Sequence, residues 1–335
     1  MERHARQAKA SVFVVESCYG FYSPMISQIQ WNRLPCRDNP LDLAATLKSG
    51  QCFRWSCDEN GVWWNTIEDT ILAVMQPEGA PYGDLLWQTF PNRNNQKLVN
   101  EYFRFDVNIN SFLPEWMRSE TRTIREFENF KGLRLLRQPP LECFISFQCS
   151  SCNTVIKIER SVQYLVEKYG DCLTSELPFT INPKRFPSLS TLGNAEESVL
   201  RAGQWGYRAP RVIQLARTLQ EKPVDWLNSL KELPYTQSHE ALAALPGIGP
   251  KLADCICLFS LDKVEAVPVD THVRKIGTRL FRNDLLGKSL TPKVYSAIAD
   301  SFREKFGSNA GWAQQILFYA ETHSRKSNGT DNSSF

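Results

Sequence analysis

The chain has few histidines, no cysteine beyond Cys257 and no long apolar run, and each of these gaps excludes something. Its four histidines show no metal-ligand spacing, so a histidine-built metal centre has nothing to stand on. With no thiol after Cys257, an iron–sulfur cluster at the C-terminal end lacks its ligands. Hydrophobic residues make up 42% of the chain and are spread too evenly for a membrane span. Charge of one sign is also scarce. A net charge of +3 permits a local basic face for nucleic acid but does not by itself argue for one. There are no internal repeats and no low-complexity interior.

What is present is a chain of 335 residues, long enough for two or three subdomains. Ten cysteines at irregular spacing, several inside apolar helical runs, read as buried thiols in a reducing compartment rather than as a disulfide frame. The alternative is a zinc site at Cys149 and Cys152, with Cys255 and Cys257 as distant companions. Nine tryptophans and nineteen phenylalanines can fill a core or stack on bases, and composition does not choose. The opening MERHARQAKASVFVVESCYG lacks a clean signal-peptide core and reads as a partly disordered leader over 1–40. Its basic residues keep a mitochondrial address open. The nucleus of a eukaryote, or the cytoplasm and nucleoid of a prokaryote, is the expected compartment. The polar tail 326–335 is expected to be disordered.

From Leu41 to Phe90, the runs CFRW, VWWNTI, ILAVMQ and LLWQTF are separated by turn chemistry and read as an antiparallel sheet. Helical periodicity follows over Asn95–Phe105, Leu113–Phe130, Leu141–Tyr169 and most of the chain after Ala195. The class is α+β: a sheet subdomain over 41–138, then a helical body over 139–325.

The most informative stretch runs from Leu245 to Arg274. Two apolar-periodic runs flank the turn Pro246-Gly247-Ile248-Gly249-Pro250, where Gly247 and Gly249 permit φ > 0 and close approach of another molecule. Amides of such a turn beside a helix N-terminus form a phosphate site. Lys251 stands at the start of the second helix, next to the positive end of its dipole. Asp270 ends a strand-like run from Glu265 to Val269 and precedes a new helix at Thr271, which it is placed to cap.

LPGIGPK and VPVDTHV resemble the helix-hairpin-helix-Gly-Pro-Asp superfamily of DNA glycosylases. Within that superfamily Ser49-Gly50-Gln51-Cys52-Phe53-Arg54-Trp55, the segment from Gly132 to Ser151 and Trp205-Gly206-Tyr207-Arg208-Ala209 are similar to the 8-oxoguanine DNA glycosylases of the eukaryotic type. The resemblance runs from about Leu41 to Glu321. It implies Lys251 as nucleophile at C1′ of the damaged nucleoside and Asp270 as stabiliser of the cationic sugar. It implies a base pocket made by the Gly50 carbonyl, Cys255, Pro268, Gln314 and Phe318. Gly50 would accept the N7–H that oxidised guanine has and guanine lacks, and Gln314 would bond the Watson–Crick edge. Cys255 and Phe318 would cover the two faces of the base. Gln314 and Phe318 are four apart, which on a helix places them on one face.

The same resemblance implies DNA contacts at Gly247, Gly249, His272, Tyr207 and Arg208. Tyr207 would wedge into the stack, Arg208 would face the estranged cytosine, and His272 would hold the 5′ phosphate. Where the family sets an aspartate behind that histidine, this chain has Glu321. It also has Cys152 where the family has an asparagine, and Lys157 where it has an arginine. Both lie on the opposite-strand side, with Asn153 the neighbour able to replace the missing amide. The implied protein is a bifunctional 8-oxoguanine glycosylase/AP lyase of base excision repair, a monomer acting on duplex DNA that contains oxidised guanine. It needs no organic cofactor or metal; a monovalent cation at the hairpin carbonyls is compatible with it. The rival readings are an alkylated-base glycosylase of the same fold, which would use water in place of Lys251, and a non-catalytic hairpin module that binds damage.

Overall fold

In the computed structural model, the described residues are 29–77, 80–92, 94–117, 127, 129–151, 153–173 and 183–327. They form an α+β fold with an N-terminal sheet and a helical body. Five antiparallel strands, β1 (Asn32–Leu34), β2 (Ser56–Cys57), β3 (Trp63–Ile67), β4 (Thr70–Met75) and β5 (Leu85–Phe90), lie in the order β1-β5-β4-β3-β2. Helix α1 (Leu43–Leu47) precedes β2 and is capped by Asp42, whose carboxylate accepts from Ala45 N–H.

The central strands read as near-continuous apolar runs because both sheet faces are covered. Alternate residues Trp63, Leu72, Val74 and Trp87 join one core with α1 and α2 (Gln96–Tyr102). Trp64, Ile71, Ala73 and Met75 join a second core with Ile29 and Trp31 on the other face.

Three expectations change. Asn32–Leu34, placed by sequence in a leader, is the edge strand and pairs with Leu85–Trp87. Three residues with polar Asn32 and Arg33 carry too little apolar signal to announce a strand. CFRW forms no strand ladder. Cys52 and Trp55, three apart, face the sheet core while Phe53 faces the helical core, so the segment does not alternate as a strand does but bridges two cores. The Glu265–Val269 run likewise has no ladder partners, and it begins in a turn at Val264 and Glu265. Part of the expected helix Leu113–Phe130 lies outside the described residues, and α3 spans Leu113–Met117; of the tail expected to be disordered from 326, the last helix includes 326 and 327 and the rest lies outside the described residues.

The body continues with α4 (Pro140–Gln148), α5 (Val155–Tyr169), α6 (Leu189–Gly193), α7 (Glu197–Ala202), α8 (Ala209–Gln220) and α9 (Trp226–Ser229). Then come α10 (Tyr235–Ala243), α11 (Pro250–Ser260), α12 (Thr271–Leu280), α13 (Pro292–Phe306) and α14 (Ala310–Ser327). Their apolar faces share one large core. None of the described helices is long and apolar enough to cross a membrane.

Buried polar groups bind the two halves together. Arg134 is fully buried and donates to the carbonyls of Phe103 (2.7 Å), Pro40 (3.1 Å), Val107 (2.7 Å) and Arg104, and to Asn39 Oδ1 (2.8 Å). Burial disfavours its charge, and the ring of oxygens supplies what water would. Arg54 and Glu142 form a buried pair at 2.6 Å, and burial pushes the Glu142 carboxyl up against the pull of Arg54. Arg104 donates to Leu258 O at 2.9 Å and pairs with Asp262 at 3.0 Å, which pins the C-terminus of α11 to the end of α2.

Replacing Arg134 with methionine tests this tie. The Val107 and Arg104 carbonyls keep other donors, Asn39 and Val107 N–H, but those of Phe103 and Pro40 lose theirs. At about 1–3 kcal/mol per orphaned group, the unfolding free energy should drop by about 2–6 kcal/mol in urea denaturation. A midpoint equal to wild type would show that water replaces the guanidinium.

Candidate active site

The α10–turn–α11 hairpin is built by local rules. Leu245 and Ile248 are buried and anchor the turn, while Pro246, Gly247, Gly249 and Pro250 stay exposed. Gly247 has φ +77, which requires glycine. Gly249 does not: it caps α11 in an extended conformation at φ −93, and a Cβ there would meet nothing within 4 Å. Its value is an open backbone surface, so the expectation of two left-handed glycines holds for one.

Lys251, in the first turn of α11, donates from Nζ to Ser150 Oγ at 2.8 Å and lies 5.5 Å from the centre of the Phe147 ring. One turn on, Cys255 is buried, and burial pushes its thiol up to about 11 against the pull of Lys251. The thiol is therefore a neutral, polarisable surface at ordinary pH.

Asp270 caps α12 as the sequence suggests. Its Oδ1 accepts from His272 N–H at 2.9 Å and Val273 N–H at 2.8 Å, leaving Oδ2 outside the cap. A cavity of ≈50 Å³ is lined by Lys251, Asp270, Gly50, Cys255, Pro268, Gln314 and Phe318, together with Phe147, Phe259, Val273 and Gln315. All seven residues expected in the pocket or at the chemistry meet in one place. Phe259, stacked on Phe147 at 5.5 Å, was missed although it lies four residues after Cys255 on the same helical face. Ser150 and Gln315 were also missed, and their signal was adjacency to expected residues.

Gly50 sits at φ +77 between carbonyls that are both engaged. Gln315 Nε2 donates to Ser49 O at 2.9 Å and Gln138 Nε2 to Gln51 O at 2.7 Å. Gln314 is buried and its Oε1 has no partner, an acceptor left ready for a donor on a ligand. His272 meets the Phe318 ring edge-on at 5.8 Å. Its Nδ1 is buried without a partner, while the Glu321 carboxylate pairs with Arg279 at 3.0 Å.

Across the groove, the 3₁₀ turn Gly206–Arg208 exposes Tyr207 at 51%. Arg208 is tucked in. It donates to Ser151 O, lies 4.4 Å from the Tyr207 ring centre and keeps a buried Nε unpaired. Lys157 is exposed near the start of α5, and Asn153 Oδ1 is held by Thr154 N–H at 3.1 Å. Cys152 lies outside the described residues. A larger cavity of ≈510 Å³ between α4, α6 and α9 has four carboxylates in its lining, Glu68, Asp69, Glu142 and Asp225, of which Asp69 and Glu142 are paired with Arg185 and Arg54.

A sheet followed by a helical body, with a lysine leaving a hairpin beside an aspartate-capped helix, defines a DNA glycosylase of the helix-hairpin-helix class. The N-terminal domain family of 8-oxoguanine DNA glycosylases matches residues 33–144. The N-glycosylase/DNA lyase OGG1 of Arabidopsis thaliana is 35% identical over 89% of this chain and 82% of its own. The N-glycosylase/DNA lyase of Saccharomyces cerevisiae is 30% identical over 87% and 86%. The Clostridium acetobutylicum 8-oxoguanine glycosylase/lyase, solved with double-stranded DNA carrying cytosine opposite 8-oxoguanine, superposes with a TM-score of 0.73 at 28% identity, covering 89% of this chain and 96% of that one. The chain belongs to the 8-oxoguanine DNA glycosylase/lyase family.

Gly50→Ala separates scaffold from pocket. The added methyl would lie 3.7 Å from Phe318 and 3.5 Å from Val155, ordinary contact distances, so the fold should persist. The left-handed backbone would cost about 1–2 kcal/mol, read as a lower denaturation midpoint. A base crowded by the methyl should bind about tenfold more weakly, a loss of about 1.4 kcal/mol. Undiminished lesion binding would remove Gly50 from the pocket.

Proposed function

We propose that this protein excises 8-oxoguanine from duplex DNA and then nicks the strand, with Lys251 as nucleophile and Asp270 as electrostatic partner. The observation that carries the reading is the convergence of Lys251, Asp270, Gly50, Cys255, Gln314 and Phe318 on one small cavity. The amides around Gly247 and Gly249 grip a phosphate at the hairpin, and His272 takes one on the 5′ side. Tyr207 fills the stack where the damaged base turns out. Extrusion costs a few kcal/mol, offset by stacking on Cys255 and Phe318 and by bonds to Gln314 and the Gly50 carbonyl. A cavity of ≈50 Å³ is too small for a purine, so Phe318 or its neighbours shift as the base enters.

Lys251, as the free amine, attacks C1′, and the glycosidic bond breaks with its electron pair leaving on the base. Oδ2 of Asp270 stabilises the cationic sugar while Oδ1 keeps the helix cap. Ring opening yields a Schiff base on Lys251. Loss of a C2′ proton then expels the 3′ phosphate by β-elimination. The residues call for no organic cofactor or metal. A monovalent cation at the hairpin carbonyls would screen the gripped phosphate and take no part in bond making. The enzyme acts as a monomer in this reading.

Borohydride trapping is the direct test. Lys251→Gln should abolish both excision and the covalent protein–DNA adduct while lesion binding stays within a few-fold of wild type. An adduct with the variant would move the nucleophile elsewhere. Full excision without any adduct in wild type would favour water as nucleophile and the alkylated-base reading.

The opposite-strand side should discriminate less than in a family member with asparagine and arginine there. A thiol at Cys152 is a weak donor, and Lys157 is a point charge in place of a fixed fork. A bidentate contact is worth about 1–3 kcal/mol, so the preference for cytosine should be about tenfold to a hundredfold smaller. Single-turnover rates against all four opposing bases decide this, comparing wild type with Cys152→Asn/Lys157→Arg. Equal selectivity in the two proteins would show that the two departures do not matter.

A further inference from the structure

Asp254 has no part in the chemistry above, yet it is a fully buried carboxylate one turn beyond Lys251 on α11. It accepts a hydrogen bond from Tyr235 at 2.6 Å through Oδ1 and from Tyr295 at 2.5 Å through Oδ2, and His239 Nε2 lies 3.8 Å from Oδ1. Burial pushes this carboxyl up from its ordinary value, opposed by His239 and by the two phenols.

The two tyrosines differ in what lies behind them. Tyr235 sits at the start of α10 under the Arg303 guanidinium. Tyr295, on α13, accepts the backbone N–H of Val269 at 3.2 Å. Its single proton goes to Asp254, so the Val267 carbonyl at 3.4 Å receives no strong bond from it. Val269 belongs to the run ahead of Asp270, which has no strand partner. A backbone donor there must find an acceptor elsewhere, and the phenol of Tyr295 is that acceptor. At the other end of the run, Gly311 N–H bonds Val264 O at 2.8 Å.

We propose that Tyr295, oriented by Asp254, is a positioning residue that sets Asp270 against Lys251. The inference rests on the roles given to those two residues above. One carboxylate on the lysine's helix thereby reaches, through one phenol, the residue next to the catalytic aspartate. Without the phenol, Val269 and Asp270 can shift relative to the hairpin, α12 moving with Asp270 through the bonds to its Oδ1, while Lys251 stays in place.

The test compares Tyr295→Phe, Tyr235→Phe and Asp270→Asn in three assays. These are single-turnover excision of 8-oxoguanine at saturating enzyme, half-saturating enzyme concentration, and borohydride trapping on DNA with a preformed abasic site. That last substrate needs Lys251 but has no base to remove. Tyr295→Phe should slow excision at least about tenfold, since small misplacements in an active site carry such costs. Half-saturation and abasic-site trapping should stay within about threefold of wild type. Tyr235→Phe breaks the other bond to the same carboxylate, so it should lower thermal stability comparably yet excise within about threefold of wild type. If Tyr295→Phe excises at the wild-type rate, or if both phenylalanine variants lose excision and trapping together, the positioning role is overturned. Should Tyr295→Phe not fold, Asp254→Asn carries the same comparison: excision slowed with trapping retained supports the role, and parallel loss overturns it. Asp270→Asn separates the two levels. If it excises normally, the assignment of Asp270 fails; if it is slow and Tyr295→Phe is not, only the positioning role fails.

Discussion

The pocket depends on three buried amides that hold the Ser49–Gln51 turn. Gln51 is fully buried; its Nε2 donates to Arg134 O at 2.8 Å and its Oε1 accepts from Leu136 N–H at 2.8 Å. Gln138 reaches back to Gln51 O, and Gln315 comes from α14 to Ser49 O. Each amide satisfies backbone groups that would otherwise be orphaned in the interior, so the turn cannot move without breaking several bonds at once. The same ties fix the sheet half to the helical body, because Ser49–Gln51 leaves the sheet's first helix while Gln315 neighbours Gln314 and Phe318. Gly50, at φ +77, thus lines a pocket that it shares with Gln314 and Phe318 of the C-terminal helix.

The site combines structural and chemical roles in single side chains. Asp270 uses one oxygen to satisfy two orphan amides of α12 and keeps the other outside that cap. The carboxylate is held at a fixed angle by the helix it starts, so little reorganisation is needed when positive charge develops nearby. Lys251 is oriented by the Ser150 hydroxyl and by the face of Phe147. Arg208 is similarly withheld by the Ser151 carbonyl, under the exposed ring of Tyr207. Ser150 and Ser151 are neighbours. The short loop after α4 therefore restrains both Lys251 and Arg208.

Local chemistry was legible in the linear chain. The Pro246–Pro250 turn, the start of α11 at Lys251 and the cap at Asp270 each depend on residues within a few positions, so pattern and propensity suffice to place them. Helical spacing likewise put Gln314 and Phe318 on one face. The strands VWWNTI, ILAVMQ and LLWQTF were visible because runs of branched and aromatic residues between turns have few other uses. The failures share one cause. Cys52–Trp55 bridges two cores, Glu265–Val269 has no ladder and is held by a tyrosine from α13, and Asn32–Leu34 is too short and polar to stand out. In all three the decisive partner is far away in the chain.

By itself, then, the sequence determined the α+β class, the hairpin, the place of Lys251 at the start of α11 and the capping aspartate, since each follows from contiguous residues obeying turn and helix-end rules. The tertiary structure alone decided that Ser49 meets Gln315 across 266 positions, that Gly50 shares a cavity with Lys251 and Phe318, and that Asp254 reaches Val269 through Tyr295. Those contacts arise from burial: a polar group taken out of water accepts whichever partner the packed core brings within about 3 Å. No linear pattern records which partner that is.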